Sequence, residues 1–241
     1  MKILQKIKAK VKDLYGQSSA TIAFLGDSVT QGCFECYFDE NNQVQTVFES
    51  KSSYATRVKE ILNYLYPSAQ INIINSGISG DWAENGNQRF ERDIAPYKPD
   101  LVVVSFGLND ACKGREKVDT YTNALRSIFQ KVKKIGAECI FVFQNMINTK
   151  VSCHLKEERE QNLARYFAEI QNRGDVEYYC AKAKETAEEC GVEFCTMYPV
   201  WKKMHENGVD TTELLSNKYN HPQREFHYYI AMKIVEKIFD L

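Results

Sequence analysis

The sequence predicts an α/β protein built on a parallel sheet, and three observations indicate this. Short apolar runs rich in β-branched residues alternate with longer segments of helical periodicity. Those helical segments are long enough to be the crossovers that parallel strands require. The run at residues 101–106 is almost wholly apolar, which is typical of a central strand covered on both faces. We therefore predict a three-layer α/β/α sandwich around a five-stranded parallel sheet.

The predicted strands and helices alternate along the chain. The strands are residues 21–25, 71–74, 101–106, 139–143 and 192–195. The main helices are residues 54–65, 85–94, 121–135, 154–190 (interrupted around 172–175) and 222–239. The polar and aromatic segment 33–50 is predicted to be irregular and to overhang the sheet edge where the first strand ends.

Residues 1–15 are basic and have apolar positions at helical spacing. We expect a helix that packs on the domain; a helix lying on a membrane surface is the alternative. Without repeats or Pro-, Gly- or Ser-rich linkers, the chain is predicted to be a single domain over residues 1–241, with residues 1–16 as its N-terminal amphipathic helix.

The composition of the chain argues against several classes of function. The net charge is −1 and no charged block is present, so a nucleic-acid partner is not expected. No apolar run approaches the roughly 18 residues of a membrane-spanning helix. With no export signal visible, we expect a cytoplasmic protein whose eight cysteines are reduced thiols. Cys33 and Cys36 form a C-x-x-C spacing that fits redox or metal chemistry, but no second pair accompanies it, so we favour chance.

The Gly26-Asp27-Ser28 turn directly follows the first strand. It places a hydroxyl at the carboxyl edge of the sheet, where ligands bind in open α/β folds. If a helix begins there, its free N–H groups face any anion that forms beside the hydroxyl. The alternative is a plain turn in which Asp27 and Ser28 cap that helix.

Two further strands end in small, polar, turn-forming clusters, at residues 75–80 and 107–110. Glycine turns present backbone N–H groups and asparagine presents a side-chain amide, so these clusters can supply an oxyanion hole at the same edge. His221 precedes the last helix and can reach that edge. We expect Asp27 and Asp110 to bond the N–H groups of turns.

In these blocks the chain resembles the SGNH hydrolases, also called the GDSL esterase/lipase family, and the predicted sandwich is of the flavodoxin-like type. The matching blocks are Gly26-Asp27-Ser28, Ile78-Ser79-Gly80-Asp81, Gly107-Leu108-Asn109-Asp110 and His221-Pro222. The resemblance implies that Ser28 is the nucleophile and His221 the general base. It also implies that the Ser28 and Gly80 N–H groups and the Asn109 amide hold the oxyanion.

The last block departs from the family pattern, which usually has D-x-x-H. Lys218 stands at the aspartate position, and a lysine cannot accept a hydrogen bond from the imidazole. Either another acid or a main-chain carbonyl near Asn217 must then orient His221, or the enzyme works with a Ser–His dyad alone. Among acids we favour Asp210 over Glu213. For Asp210 itself we favour a role as the cap of the helix that follows over a catalytic role, because residues 207–210 have the pattern of a turn.

The predicted function is a serine esterase for short acyl esters, particularly a carbohydrate O-deacetylase. Aromatic and polar residues after the first block favour a sugar: Phe34, Glu35, Tyr37 and Phe38. The alternatives are a lysophospholipase or thioesterase of the same family, a catalytically weak binding module, or an interaction scaffold that uses the N-terminal helix. No cofactor or metal is predicted, because the nucleotide-binding and metal-ligand motifs are absent from the sequence. His227 is expected to be a packed or surface side chain.

Overall fold

The computed structural model describes residues 1–240, which form seven β-strands and ten α-helices. The strands are β1 (Ala20–Gly26), β2 (Cys33–Phe38), β3 (Val44–Phe48), β4 (Ile71–Gly77), β5 (Leu101–Ser105), β6 (Glu138–Phe143) and β7 (Glu193–Thr196). The first five helices are α1 (Lys2–Lys12), α2 (Ser28–Gln31), α3 (Tyr54–Leu65), α4 (Ala83–Asp93) and α5 (Leu108–Ala111). The others are α6 (Val118–Lys134), α7 (Glu158–Asn172), α8 (Asp175–Glu189), α9 (Tyr198–Glu206) and α10 (Arg224–Phe239).

Five strands form one parallel sheet in the order β4-β1-β5-β6-β7. Helices α3 and α10 pack together on one side, and α4, α6 and α8 pack together on the other. The strand order reverses between β1 and β5, and in doubly wound sheets ligands bind at such a switch point. The prediction of a five-stranded parallel α/β/α sandwich is confirmed.

The sheet register brings three loops to one edge. Gly26, the last residue of β1, pairs with Gly77 on one side and with Ser105 on the other. The loops that follow β1, β4 and β5 therefore start side by side. The strand beneath them, β5, is fully buried along its length, so this edge rests on a rigid part of the core.

The prediction that residues 33–50 are irregular is wrong. The segment contains β2 and β3, which pair as an antiparallel hairpin with a register irregularity between Cys33 and Cys36. The Asp39 carboxylate closes its turn by accepting the N–H groups of Asn41 and Gln43, both at 2.9 Å. Helix α9 was also missed, whereas the break in the long helix at 172–175 is present, with Gly174 at φ +78° between α7 and α8.

Helix α1 lies at the opposite end of the sheet from these loops. Ile3 and Ile7 are buried in the main core. The Glu138 carboxylate accepts the N–H groups of Lys2 and Ile3, both at 2.8 Å, and Lys6 pairs with Asp100 at 2.7 Å. Among residues 1–240, no helix is long and apolar enough to cross a membrane. All eight cysteines are free thiols.

Candidate active site

Ser28 is the first residue of α2, immediately after the turn that ends β1. Asp27 is the N-cap, and its Oδ1 accepts the Val29 N–H at 3.0 Å and the Gln144 side-chain amide at 2.9 Å. Burial raises the pKa of Asp27 to about 6. Asp27 therefore caps the helix, as the turn alternative required, and the same cap fixes the backbone from which the Ser28 hydroxyl projects.

His221 reaches Ser28 from the loop before α10. Its Nε2 lies 2.9 Å from the Ser28 Oγ, although the two residues are 193 positions apart, and each is 4% exposed. Its Nδ1 lies 2.8 Å from the carbonyl oxygen of Phe34 in β2. Because a carbonyl only accepts, Nδ1 carries the proton and Nε2 is left free to accept the serine proton.

Burial lowers the pKa of His221 from 6.5 to about 4, and the Phe34 carbonyl and the Glu35 charge oppose part of that shift. At neutral pH the imidazole is therefore uncharged, which is the state that a general base requires. The histidine is held in the correct tautomer by a neutral main-chain group rather than by a carboxylate.

Asn217 fixes the loop that carries His221. It is 5% exposed. Its Oδ1 accepts three backbone N–H groups, those of Tyr219, Asn220 and His221, at 3.0, 2.9 and 3.0 Å. Its Nδ2 donates to Asn220 Oδ1 at 2.8 Å and to the Cys36 Sγ at 3.6 Å. One amide thus joins the histidine loop to β2, the strand that orients the imidazole ring.

The prediction that Asp210 orients His221 does not hold in this structure. The Asp210 carboxylate pairs with Lys150 at 2.7 Å, and it makes no capping bond to the short 3-10 turn that follows. Glu213 instead bonds Ser152 and pairs with Lys218 at 3.0 Å. The expected main-chain carbonyl does exist, but it belongs to Phe34 rather than to the vicinity of Asn217.

Two of the three predicted oxyanion donors, Gly80 and Asn109, lie on loops that contact each other. The Asn109 Nδ2 donates to the Asp81 carbonyl at 2.8 Å, directly beside Gly80. Gly80 has φ +78°, in the left-handed region that favours glycine. The Ile78 N–H donates to the Gly26 carbonyl at 3.0 Å, which ties this loop to the end of β1. The structure thus places the Ser28, Gly80 and Asn109 segments at one edge.

Arg89 braces this edge, and no motif in the sequence marks it as part of the site. It is 8% exposed and pairs with the buried Asp81 at 2.7 Å. It also donates to the carbonyls of Ser76 and Gly26 at 2.7 and 2.9 Å. In the sequence Arg89 looks like any charged residue on a helix. Only the fold shows that its guanidinium joins the ends of β1 and β4.

Asp110 is a second buried carboxyl at this edge. Its Oδ1 accepts the Ala83 N–H at 3.1 Å, and burial raises its pKa to about 7. This matches the predicted role of bonding a turn N–H, although the bond crosses to the start of α4. Within residues 1–240, no group of three His, Cys, Asp or Glu side chains is arranged to hold a metal ion.

Comparison with known proteins identifies the family. Residues 24–228, most of the chain, match the GDSL-like lipase/acylhydrolase family. The chain belongs to this family. The resemblance seen in the four sequence blocks is therefore confirmed.

Two curated relatives match parts of this GDSL-family chain. An acetylxylan esterase of Geobacillus stearothermophilus is 28% identical over 127 residues, which are 49% of this chain and 56% of that protein. Esterase TesA of Pseudomonas aeruginosa is 34% identical over 70 residues, 29% of this chain and 34% of that protein. The chain thus spans little more than half of the first relative and a third of the second.

Solved structures share the fold over almost the whole chain. A two-domain esterase (CEX) active on acetylated mannans matches with a TM-score of 0.68 and 19% identity, over 99% of this chain and 52% of that one. The acetyl xylan esterase AlAXEase matches with a TM-score of 0.65 and 18% identity, over 90% of this chain and 99% of that one. At these low sequence identities, the similarity shows a shared fold and nothing more.

Proposed function

We propose that this GDSL-family chain is a serine esterase that hydrolyses short-chain acyl esters, with carbohydrate O-acetyl esters as its substrate class. The observation that carries the proposal is the 2.9 Å contact between Ser28 Oγ and an unprotonated His221 Nε2. The proposal treats residues 1–241 as one domain and requires no cofactor. The eight free thiols support a reducing compartment such as the cytoplasm.

The reaction follows from these positions. His221 Nε2 takes the Ser28 proton as the hydroxyl oxygen attacks the ester carbonyl carbon. The N–H groups of Ser28 and Gly80 and the amide of Asn109 hold the oxyanion. As the carbon–alkoxide bond breaks, the imidazolium returns its proton to the leaving alcohol. Water then attacks the acyl-serine by the same route, which releases the carboxylic acid and restores the hydroxyl.

The proposed substrate class rests on the named activities of similar proteins. One relative is an acetylxylan esterase and one solved neighbour is active on acetylated mannans. The aromatic residues expected to stack on sugars contribute less: Phe34 is fully buried and Phe38 lies under the Arg159 guanidinium, so only Tyr37 presents an exposed ring. We therefore base the sugar proposal on the relatives.

The test is hydrolysis of p-nitrophenyl acetate, butyrate and octanoate, and of acetylated xylo-oligosaccharide, by the wild type and by Ser28→Ala. We expect acetate and the oligosaccharide to be the best substrates and Ser28→Ala to lose at least about 10⁴-fold in kcat. Preference for octanoate would favour the lysophospholipase or thioesterase alternative. Turnover that survives Ser28→Ala would overturn the proposed nucleophile, and no turnover of any substrate would favour a binding module.

A further inference from the structure

Arg224, the first residue of α10, pairs with two carboxylates of the β2–β3 hairpin. Its Nη1 and Nη2 donate to the two oxygens of Glu35 at 2.7 and 2.9 Å, and its Nε donates to Glu49 Oε2 at 2.8 Å. A bidentate arginine–carboxylate pair fixes orientation as well as distance. Arg224 therefore joins the start of α10 to β2 and to the residue that follows β3.

Arg224 also contacts the ring of Phe34. Its guanidinium carbon lies 4.3 Å from the centroid of that ring, in a cation–π contact. Phe34 is fully buried, and its ring packs against His227 at a centroid distance of 4.9 Å. Arg224 and His227 both belong to α10, so this helix holds Phe34 by its ring, while Arg224 holds the next residue by its carboxylate.

These contacts and the His221 hydrogen bond form a closed circuit. His221 Nδ1 lies 2.8 Å from the Phe34 carbonyl oxygen. Arg224 follows His221 by three residues, and its partner Glu35 follows Phe34 directly. Two adjacent residues of β2 are therefore bonded to two nearby points of one segment, and one of those points is the imidazole of the candidate base.

The pairing of the hairpin alone does not fix the Phe34 carbonyl. The register of β2 against β3 shifts between Cys33 and Cys36, so Phe34 and Glu35 lie in the irregular stretch. An irregularity of this kind disrupts the ladder of backbone hydrogen bonds locally. The direction of a backbone carbonyl then depends on what holds the neighbouring side chains, and here Arg224 holds both of them.

The same arginine is linked to the helix that carries the nucleophile. The Glu49 N–H donates to the Gly32 carbonyl at 2.8 Å, and Gly32 is the C-cap of α2, which begins at Ser28. Arg224 thus connects the histidine segment, the strand that orients the imidazole, and the end of the serine helix.

We propose that Arg224 is a positioning residue, which acts through Glu35 and Phe34 to keep the Phe34 carbonyl on His221 Nδ1. It performs through the backbone the task that an acidic side chain would perform directly. The proposal rests on the proposed function, because it concerns the Ser28–His221 pair. The Arg224 and Glu35 side chains are 31% and 44% exposed, and ion pairs with such exposure contribute little to stability, so variants of Arg224 should fold.

Kinetics of Arg224→Gln with p-nitrophenyl acetate provide the first test. Glutamine cannot form the bidentate pair with Glu35, so kcat should fall about 10- to 100-fold with little change in KM. Arg126→Gln, which removes a 2.8 Å ion pair with Glu189 between α6 and α8, is the matched control and should leave kcat unchanged. Thermal unfolding shows whether each variant is folded.

Nitrogen-15 NMR of the imidazole provides a readout that a merely structural role would not move. In the wild type at neutral pH, His221 should show a protonated Nδ1 and an unprotonated Nε2, assigned by their absence in His221→Ala. In Arg224→Gln the Nδ1–H signal should broaden and the nitrogen shifts should move toward a mixture of tautomers. Glu35→Gln keeps the Arg224 contact with Phe34 but weakens the bidentate pair, so it should change kcat and the spectrum in the same direction by less.

The two proposals fail separately. An unchanged kcat in Arg224→Gln, or a lower kcat with an unchanged Nδ1–H signal, would overturn the positioning role. Hydrolysis by the wild type that depends on Ser28 would still support the esterase in either case. A change of tautomer in Arg224→Gln, without any Ser28-dependent hydrolysis by the wild type, would support the orientation of His221 by Arg224 and overturn the esterase.

Discussion

The Nδ1 atom of His221 lies 2.8 Å from the Phe34 carbonyl oxygen, where serine hydrolases commonly have a carboxylate. The carbonyl fixes the tautomer as a carboxylate does, but it carries no charge and so stabilises the imidazolium less. His221 is therefore a correctly oriented general base with low basicity. That combination has direct consequences for the pH dependence of the reaction.

The first prediction is that hydrolysis persists to unusually low pH. The pKa of His221 is lowered to about 4, so the neutral base is lost only as the pH falls through that value. We expect kcat/KM for p-nitrophenyl acetate to be half-maximal near pH 4 and to fall about tenfold per unit below it. Circular dichroism at each pH controls for unfolding. An acid limb near pH 6.5 in a folded protein would contradict this account.

The second prediction uses Cys36, whose Sγ lies 3.9 Å from His221 Nδ1. Cys36→Asp places a carboxylate beside the imidazole, and a nearby negative charge favours its protonated form. We expect the acid limb of kcat/KM to move upward by about one pH unit or more. Cys36→Asn is the matched neutral control and should leave the limb in place. Equal limbs in the two variants would show that Cys36 does not face the ring in solution.

Most of the site was predictable because its signals are local in the sequence. Ser28, Gly80 and Asn109 each follow an apolar run and a glycine turn, so the parallel topology alone brings them to one edge. The Phe34 carbonyl was not predictable, because every residue has a carbonyl and no side chain marks the one that matters. Its strand was missed as well, since residues 33–38 lack a clean alternation of apolar and polar positions.

Asp210 illustrates the opposite error. It is the nearest upstream carboxylate apart from Glu213, but nearness in sequence does not place a side chain beside the imidazole ring. The fold turns Asp210 toward Lys150, and the residue that stabilises the histidine loop is Asn217. By accepting N–H groups of the residues that follow it, the Asn217 side chain forms an Asx-type turn. An asparagine that begins a turn is visible in the sequence, but many unrelated turns share this pattern.

The third prediction concerns Asn217. Asn217→Ala removes the acceptor of three backbone N–H groups and frees the loop that aims His221, so we expect kcat to fall about 10- to 100-fold with little change in KM. Asn217→Asp keeps the acceptor oxygen and replaces the donor amide with a negatively charged oxygen, so it should retain most of the activity at neutral pH, well above the His221 pKa of about 4. Thermal unfolding of both variants separates misaligned catalysis from global destabilisation. If Asn217→Asp lost as much kcat as Asn217→Ala, that result would contradict the positioning role of the acceptor oxygen.

The fourth prediction compares two glycines that differ only in location. Gly80 and Gly191 have φ of +78° and +65°, and a Cβ at either meets no atom within 4 Å. Alanine at each should therefore cost a similar backbone strain, about 1–2 kcal/mol. Only Gly80→Ala displaces a candidate oxyanion donor, so we expect it alone to lower kcat, by about 10²-fold. Equal kcat values in the two variants, measured with p-nitrophenyl acetate, would remove Gly80 from the oxyanion hole.

The fifth prediction concerns His227, which is fully buried between the rings of Phe34 and Tyr54. Its Nδ1 accepts the Tyr54 N–H at 2.9 Å, and burial lowers its pKa from 6.5 to about 3. Between these values the unfolded chain binds a proton that the native protein does not, so this residue's contribution to stability is lost as the pH falls from 6.5 toward 3.

His227→Gln removes that titration while keeping an acceptor for the Tyr54 N–H. We expect the free energy of unfolding of the wild type, relative to the variant, to fall by about 2 kcal/mol between pH 7 and pH 5. His221 titrates in the same window in both proteins, so its effect cancels in the difference. Urea unfolding at the two pH values measures this, with His205→Gln, which replaces an imidazole near the end of α9, as the control. A difference that does not change with pH would mean that His227 keeps its ordinary pKa in the folded protein.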